Sequence, residues 1–338
     1  MRPRAGRSPV IADVARVAGV SVPTVSRVLT GAARVGEDKR QRVVAAIDEL
    51  GYRPSAAARA LASGKPRLLS VVTGDTSKYG YTQTIQGVEE AARSAGYAVI
   101  ITVVESADPT VVDDAVASLL SQSVAGVVVL NFDPQGLAVS KRLPPDLPLV
   151  LVSGGRVAGV PHATLDEAQA AEDLTDHLLD LGHATVHHVS VPHAGEKDLR
   201  AAGWRTALER RGLAVPPIIT ATWEPESGRQ VGLGLVERPD ITAVFCGNDE
   251  IAIGLLRGVV QTGRRVPQDV SVVGFDDHPL SAYWSPPLTT VDLDFSGLGA
   301  RAHALLVQAL AGDDSAPVST ARPPLVLRET AGPPPTSR

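Results

Sequence analysis

Residues 10–31 read VIADVARVAGVSVPTVSRVLTG, two short segments with apolar faces on either side of a glycine. Val14, Val17 and Ala18 are spaced i, i+3, i+4, which predicts the inner stripe of a first helix that the following glycine would end. A second helix is expected to begin near Pro23, because a proline in the first turn lacks only an N–H that the helix does not use. Two short helices joined by a tight turn are typical of a helix-turn-helix that binds DNA.

The second helix is expected to bury Val25, Val28 and Leu29 and to project its other side chains outward. Arg27 is the predicted base reader, since a guanidinium can bond both O6 and N7 of a guanine. The other residues predicted at the DNA surface are Ser21 as the helix cap, Val22 and Pro23 as apolar contacts, and Thr24 and Ser26 as phosphate contacts. An ordinary helical hairpin that caps a larger domain is the alternative left open by this pattern.

The charge distribution separates the N-terminal part from the rest of the chain. Residues 1–65 contain 12 Lys and Arg against 5 Asp and Glu, whereas the whole 338-residue chain has a net charge of −5. The first part is therefore basic, at +7, and residues 66–338 are acidic, at −12. A basic module suits a phosphate backbone, so the charge favours DNA binding over the simple hairpin.

The length leaves room for two α/β lobes after the first 65 residues. The single cysteine indicates a reducing compartment. No apolar run is long enough to span a membrane, so we expect a soluble protein. The start, MRPRAGRSPV, lacks the apolar region of a signal peptide, so we expect a cytoplasmic protein.

Short apolar runs alternate with helical patterns from residue 68 to residue 275. LLSVVT, YAVIITVV, GVVVLN and LPLVLVS form a first series, and TVHHVSV, PIITA, AVFCGND and VSVVGFDD form a second series after about Leu165. This alternation predicts an α/β fold with two doubly wound parallel-sheet lobes behind the helical N-terminal part. A ligand would bind between the lobes, at the carboxyl ends of the strands.

The segments DVARVAGVSVPTVSRVL and GYRPSAAARALASGK resemble the headpiece and hinge of the LacI/GalR family of bacterial transcriptional regulators. The resemblance extends from about Ile11 to Glu329, through LRAAGWRTALERRG and DVSVVGFDDHPLSAYWSPPLTTVDLDF. It implies lobes of the periplasmic-binding-protein type. The implied domains are a helix-turn-helix headpiece (8–53), a hinge helix (54–65), an N-terminal lobe (66–165 plus 294–330) and a C-terminal lobe (166–293).

The hinge segment PSAAARALASGK is short, and an isolated helix in water needs about 12–15 residues or more, so we expect it to fold only on DNA. The resemblance implies that Leu61 inserts into a central base step of the minor groove. It also places Ser55 at the DNA, where the family usually has Asn. A flexible Ala/Gly linker is the alternative.

The loops at the strand ends carry planar polar groups and aromatic rings, which are the groups that bind sugars. By resemblance, the effector contacts are Tyr81, Gln83, Ser153, Leu165, Arg200, Trp223, Asn248, Asp276 and Phe295. Three positions depart from the family pattern, since Leu165 replaces a frequent aromatic, Ser153 an aspartate and Leu293 a usual glutamine. We therefore expect a ligand that is not bound in an identical way.

Structural roles are the alternative for several polar residues. Asp249 and Asp276 could simply cap backbone N–H groups, and Trp204 is expected in the core. Cys246 lies in an apolar strand, where a thiol is normally inert, and neighbouring histidines on a strand point to opposite faces. We therefore expect no enzyme activity, no cofactor and no metal site.

The sequence predicts a homodimeric repressor that binds a pseudo-palindromic double-stranded operator and is released by a small carbohydrate. Because no leucine heptad follows Glu329, no additional tetramer-forming helix is expected. Two alternatives remain open. One is a regulator with a purine or nucleoside corepressor, and the other is a sugar-binding transport protein or sugar-processing enzyme with an incidental helix pair.

Overall fold

The computed structural model describes residues 9–30, 35–52, 66–152, 159–192, 198–313 and 315–336. The chain divides into two compact units, Met1–Leu68 with Ser123–Ala125 and Leu69–Gln122 with Gly126–Arg338.

The first unit contains the helices α1 (Ile11–Ala18), α2 (Val22–Thr30) and α3 (Glu37–Leu50). Its core consists of Val14, Ala15, Ala18, Val25, Val43, Ala46 and Tyr52. The expectation that Val17 lies inward is wrong, because its side chain is 41% exposed and Ala15 is buried instead. The reason is that α1 contacts both α2 and α3, so its buried side is broader than one stripe and is displaced toward Ala15.

The N-terminal lobe of the second unit is built on a six-stranded sheet. Its strands are β1 (Leu68–Thr73), β2 (Ala98–Val103), β3 (Gly126–Leu130), β4 (Leu149–Val152), β5 (His162–Leu165) and β11 (Val318–Ala321). Their order in the sheet is β11-β5-β4-β3-β1-β2. The pairings of β1 with β3, β3 with β4, β4 with β5 and β5 with β11 are parallel. The helices of this lobe are α4 (Tyr79–Ser94), α5 (Pro109–Ser121), α6 (Pro134–Ser140) and α11 (Phe295–Leu310).

The C-terminal lobe is built on a four-stranded sheet. Its strands are β6 (His187–Ser190), β7 (Ile219–Thr220), β8 (Ala243–Cys246) and β9 (Ser271–Val273). Their order in the sheet is β7-β6-β8-β9, and the pairings are parallel. The helices are α7 (Glu167–Asp180), α8 (Leu199–Arg210), α9 (Pro225–Gly234) and α10 (Asp249–Gln261). The α/β architecture with two parallel-sheet lobes that the sequence predicts is confirmed.

The chain passes between the lobes three times. It leaves β5 of the N-terminal lobe and begins α7, it returns from β10 (Thr290–Val291) into α11, and it leaves β11 for β12 (Leu325–Val326), which pairs with β10. The three crossings join the two lobes, and in open parallel sheets of this kind ligands bind at the carboxyl ends of the strands.

Glycine allows the closest helix contact in the N-terminal lobe. A Cβ on Gly87 of α4 would lie 2.0 Å from the carbonyl oxygen of Ser296, and one on Gly299 of α11 would lie 2.2 Å from that of Thr84. The two helices therefore pack backbone against backbone. This contact joins the middle of α4 to the start of α11, where Phe295 lies.

Candidate functional site

The outer face of α2 carries the residues predicted to meet DNA. Val25 is fully buried, whereas Val22, Pro23 and Arg27 are exposed. Ser21 precedes the helix, and its carbonyl accepts from the N–H of Thr24 at 2.9 Å. Its hydroxyl lies 2.9 Å from Thr24 Oγ1. The exposed side of α2 thus presents an apolar edge at its N-terminus and one guanidinium in its second half, a surface that suits a major groove.

Three predicted site residues fall outside the described residues. They are Ser55 and Leu61 of the predicted hinge, and Ser153 at the carboxyl end of β4. Their roles stay predictions.

The two lobes contact each other through the start of α4. The ring of Tyr79 lies 4.7 Å from the ring of His278, and the Nζ atom of Lys78 lies 4.8 Å from the ring centroid of Trp223. Trp223 follows β7 and His278 follows β9, both at the carboxyl ends of their strands. Side chains of both lobes therefore enclose the cleft.

Arg200 is the centre of a buried ionic group on the C-terminal lobe. Its Nε donates to Glu167 Oε2 at 2.8 Å, and its Nη2 lies 3.4 Å from Asp276 Oδ1. It also donates to the carbonyl of Gly247, and its guanidinium lies 4.6 Å from the centroid of the Phe275 ring. Burial opposes the charge of Arg200, but Glu167 and Asp276 raise its pKa above the ordinary value.

Asp276 is not satisfied by this pair. Burial raises its pKa well above the ordinary value although Arg200 lies beside it. Its Oδ1 is buried and accepts no hydrogen bond from any residue that the structure describes, and the same is true of Oδ1 of Asn131. Asn131 directly follows β3 of the opposite lobe. A buried acceptor without a hydrogen bond costs free energy, and these two oxygens belong to residues that follow strands of opposite lobes.

Asn248 and Asp249 are already engaged by the protein. Asn248 Oδ1 accepts from the N–H of Ile251 at 2.9 Å, and its Nδ2 donates to Glu250 Oε2 at 3.1 Å. Asn248 is therefore the N-cap of α10.

Asp249 accepts from the N–H of His278 at 2.7 Å, from Ser281 Oγ at 2.6 Å and from Thr290 Oγ1 at 2.5 Å. These bonds fix the loop after β9. Asp249 thus has a structural role, although it accepts from the N–H of a residue distant in the sequence and from two hydroxyls rather than from the N–H groups that follow it.

Four rings of the N-terminal lobe form an aromatic cluster, Tyr79, Tyr81, Phe132 and Phe295. Phe295 begins α11, and its ring lies 6.0 Å from Tyr79 and 6.4 Å from Phe132, while Tyr81 lies 5.1 Å from Phe132. The Tyr81 hydroxyl donates to Asp133 Oδ2 at 3.0 Å, and burial together with this carboxylate raises the pKa of Tyr81. The cluster gives the cleft a rigid apolar surface on the N-terminal side.

The remaining predicted residues lie at different depths. Trp223 is half-buried against the core of the C-terminal lobe, and Gln83 is half-buried on α4. Leu165 and Leu293 are buried, at 5% and 0% exposure. Trp204 is fully buried and donates to the carbonyl of Val186 at 2.8 Å, as expected for a core residue.

The groups weighed for enzyme chemistry are buried. Cys246 is fully buried, and burial raises the pKa of its thiol. Within the described ranges, no three or more His, Cys, Asp or Glu side chains are grouped so that they could hold a metal ion. In the same part of the chain, no helix is both long and apolar enough to cross a membrane.

Residues 10–55 match the family model described as bacterial regulatory proteins, lacI family, and residues 175–331 match a periplasmic binding protein-like domain. The transcriptional repressor PurR of Photobacterium profundum is 33% identical over 307 residues, which cover 88% of this chain and 91% of that protein. The lactose operon repressor of Escherichia coli (strain K12) is 30% identical over 326 residues, 94% of this chain and 89% of that protein. The chain belongs to the lacI family.

Solved structures of the family have the same fold. The lac repressor dimer bound to operator and the anti-inducer ONPF superposes with a TM-score of 0.89 at 29% identity, over 96% of this chain and 100% of that chain. The complex of the transcriptional regulator CelR with cellobiose gives a TM-score of 0.69 at 26% identity, over 95% and 99% of the two chains. This lacI-family protein is a DNA-binding transcriptional repressor.

Sequence reasoning missed two residues of the cleft in this lacI-family protein, Asn131 and Lys78. Asn131 follows the apolar strand β3, and the rule that ligands bind at the carboxyl ends of parallel strands could have found it. Lys78 gives no comparable signal, because its contact with Trp223 joins residues far apart in the sequence.

Proposed function

We propose that this lacI-family repressor binds a small uncharged carbohydrate between its lobes and that this effector releases it from operator DNA. The observation that carries the proposal is the arrangement around Asp276. A buried carboxylate oxygen without a hydrogen bond from the described residues lies beside Arg200, and aromatic rings approach the cleft from both lobes.

A sugar ring has the chemistry that this arrangement lacks. Its hydroxyl groups donate to Oδ1 of Asn131 and to Oδ1 of Asp276, which accept no hydrogen bond from the described residues although that of Asp276 is ion-paired with Arg200, and they accept from donors such as Arg200. The C–H face of the ring packs against an aromatic surface, which Trp223 and Phe295 provide. The buried Leu165 and Leu293 offer only apolar contact. We therefore propose that specificity for hydroxyl groups comes mainly from strand ends other than those two positions.

DNA recognition is assigned to the first unit. We propose that the outer face of α2, with Val22, Pro23 and Arg27, enters the major groove, and that Ser55 and Leu61 contact DNA through the hinge. The structurally similar lac repressor is bound to operator as a dimer. Operator binding in turn implies a cytoplasmic location.

A homodimer is part of the proposal. The C-terminal lobe exposes Val260, Leu280 and Tyr283 at 53%, 55% and 87% of their surfaces. A groove of about 310 Å³ lies there, lined by Leu256, Arg257, Val260, Tyr283, Trp284 and Ser285. Large apolar side chains grouped at a surface are typical of protein interfaces. We propose that a second copy of the chain covers this face.

The coupling between effector and DNA follows from differential affinity. An effector releases the repressor from DNA only if it binds the DNA-incompetent state more tightly than the DNA-competent state, and couplings of about 1–3 kcal/mol are typical. We propose that the effector holds the two lobes in the arrangement in which a dimer cannot order its paired hinges.

The test is a titration of the full-length protein with cellobiose, ribose, ONPG, adenine and adenosine, followed by tryptophan fluorescence. Each titration is repeated with palindromic DNA selected in vitro by the effector-free protein. The W223F variant is the control, because it removes the indole of the cleft and leaves the fluorescence of Trp204 and Trp284. A carbohydrate that binds and lowers DNA affinity supports the proposal.

A purine effector is the second candidate. PurR is a relative at 33% identity, and a base can stack on Trp223 as a sugar can. The two candidates differ in whether the bound ligand weakens or strengthens the binding of DNA. A purine that binds and tightens the DNA complex identifies a corepressor and rejects the carbohydrate proposal.

A further inference from the structure

Lys78 extends from the N-terminal lobe to the C-terminal lobe. It directly precedes α4, in a turn in which Asp75 Oδ1 accepts the N–H of Ser77 at 2.6 Å and that of Lys78 at 3.2 Å. The turn fixes the point from which the side chain leaves the backbone. Its Nζ lies 4.8 Å from the centroid of the Trp223 ring, within the distance of about 6 Å at which a cation is attracted to an indole.

The position of Lys78 matters because it occupies a surface that a ligand needs. Trp223 is half-buried and packs against the core of the C-terminal lobe. The side of the indole that packs against the core cannot receive a ligand, and the ammonium of Lys78 lies over the ring. A sugar or base that stacks on Trp223 must therefore first remove this ammonium.

The surroundings of this contact are acidic. Burial raises the pKa of Glu250, the charges of Asp249 and Glu224 raise it further, and the charge of Lys78 lowers it. The charge of the ammonium thus acts on Glu250, one of three neighbouring carboxylates. An anionic ligand at this place would meet the negative charge of the same carboxylates at a cost.

We propose that Lys78 is a specificity-determining residue that competes with the effector for the exposed face of Trp223, and that the ligands able to displace it are uncharged rings. This inference rests on the proposed effector function of the cleft. The competition lowers the affinity for an effector by the strength of the cation–π contact, a factor of about 2 to 30. It also selects against phosphorylated or carboxylated ligands.

The test compares K78M, K78R and K141M in the full-length protein by calorimetric titration with cellobiose, ribose, ONPG and glucose 6-phosphate. Lys141 is exposed on the same lobe and is the matched control. We expect K78M to bind an uncharged probe about 2- to 30-fold more tightly than the wild type. K78R, which keeps a cation, and K141M are expected to stay close to the wild type. Equal or weaker binding by K78M, or a preference of the wild type for glucose 6-phosphate, overturns the proposal.

A second measurement needs no effector. Acrylamide quenches the fluorescence of the partly buried Trp223 and Trp284, while the fully buried Trp204 contributes little, so the part due to Trp223 is the part that W223F removes. We expect K78M to increase quenching in the wild-type background and to leave it unchanged in a W223F background. Equal quenching of K78M and the wild type would show that Lys78 does not cover Trp223 and would overturn the proposal. If K78M increases quenching but no probe binds either protein, the carbohydrate function fails and the competition fails with it, while the contact stands.

Discussion

Arg200 and Asp276 form a buried pair at the carboxyl end of β9, with Nη2 3.4 Å from Oδ1 and side chains only 14% and 12% exposed. Asp276 has φ 121°, a backbone conformation that residues other than glycine rarely adopt. Such strain costs about 1–3 kcal/mol and persists only where surrounding contacts impose it, most often at functional sites. The pair therefore holds a carboxylate in a place that stability alone does not favour.

Replacement of Arg200 by methionine is expected to destabilise the C-terminal lobe. The change leaves Glu167 and Asp276 without their shared cation, and loss of one partner of a buried ion pair costs about 3–5 kcal/mol. Urea unfolding measures the loss. The control is R205M, an exposed position on the same helix, for which we expect a change within about 0.5 kcal/mol. Similar losses in both variants would show that the Arg200 pair has no special role.

Stability between pH 7 and pH 5 is expected to depend on His188. Its Nδ1 donates to the Phe245 carbonyl at 3.1 Å, and its Nε2 is buried without a hydrogen bond from the described residues. The ring lies 5.4 Å from Trp204 and 4.6 Å from Phe245. Burial lowers the pKa of His188 from 6.5 to about 4, so the folded protein keeps this side chain neutral when the unfolded chain protonates it.

The direction of the pH dependence follows from the difference between the folded and the unfolded pKa of His188. A depressed folded pKa gives stability that is present above the unfolded value of 6.5 and is lost as the pH falls toward about 4. We expect the wild type to lose about 2 kcal/mol more than H188L between pH 7 and pH 5 in urea unfolding. H188L also lacks the bond to Phe245, but that loss is the same at both pH values. Parallel pH profiles for wild type and H188L contradict the assignment.

The sequence is informative about the fold because the apolar runs are long and regular. Strands such as GVVVL at β3 and AVFC at β8 are buried throughout, so they stand out in the sequence as continuous apolar runs without tertiary information. Val17 shows the limit of the same reasoning. The spacing predicts an apolar stripe, but the side of α1 that is covered depends on where α2 and α3 lie against it.

The cleft is less predictable from the sequence than the fold. Strand-end positions identify Asn248 and Asp276 as candidates. They do not show that Asn248 Oδ1 accepts from the N–H of Ile251, whereas Oδ1 of Asp276 accepts no hydrogen bond from any described residue. That difference depends on the backbone of each loop. The contact of Lys78 with Trp223 depends on how the lobes meet, which no local pattern contains.

Arg27 is expected to determine sequence discrimination. Replacement by alanine should reduce binding to the selected palindromic DNA by about 1–3 kcal/mol per half-site and reduce binding to scrambled DNA only slightly. Fluorescence anisotropy over a salt series measures both. K39A, at an exposed position of α3, is the control for simple loss of charge. An equal loss on both DNA sequences makes Arg27 a phosphate contact instead.

Tyr283 is expected to be required for the dimer. Its side chain is 87% exposed, so replacement by aspartate should leave the folded chain stable, while a buried charge at the proposed interface would separate the two copies. Light scattering after size exclusion should give the mass of one chain for Y283D and of two chains for the wild type. The control is I218D, an exposed apolar position of the same lobe outside the groove. Because a pseudo-palindrome needs two headpieces held together, Y283D should also lose affinity for the full site while it keeps half-site discrimination. A dimer that persists in Y283D rejects this face as the interface.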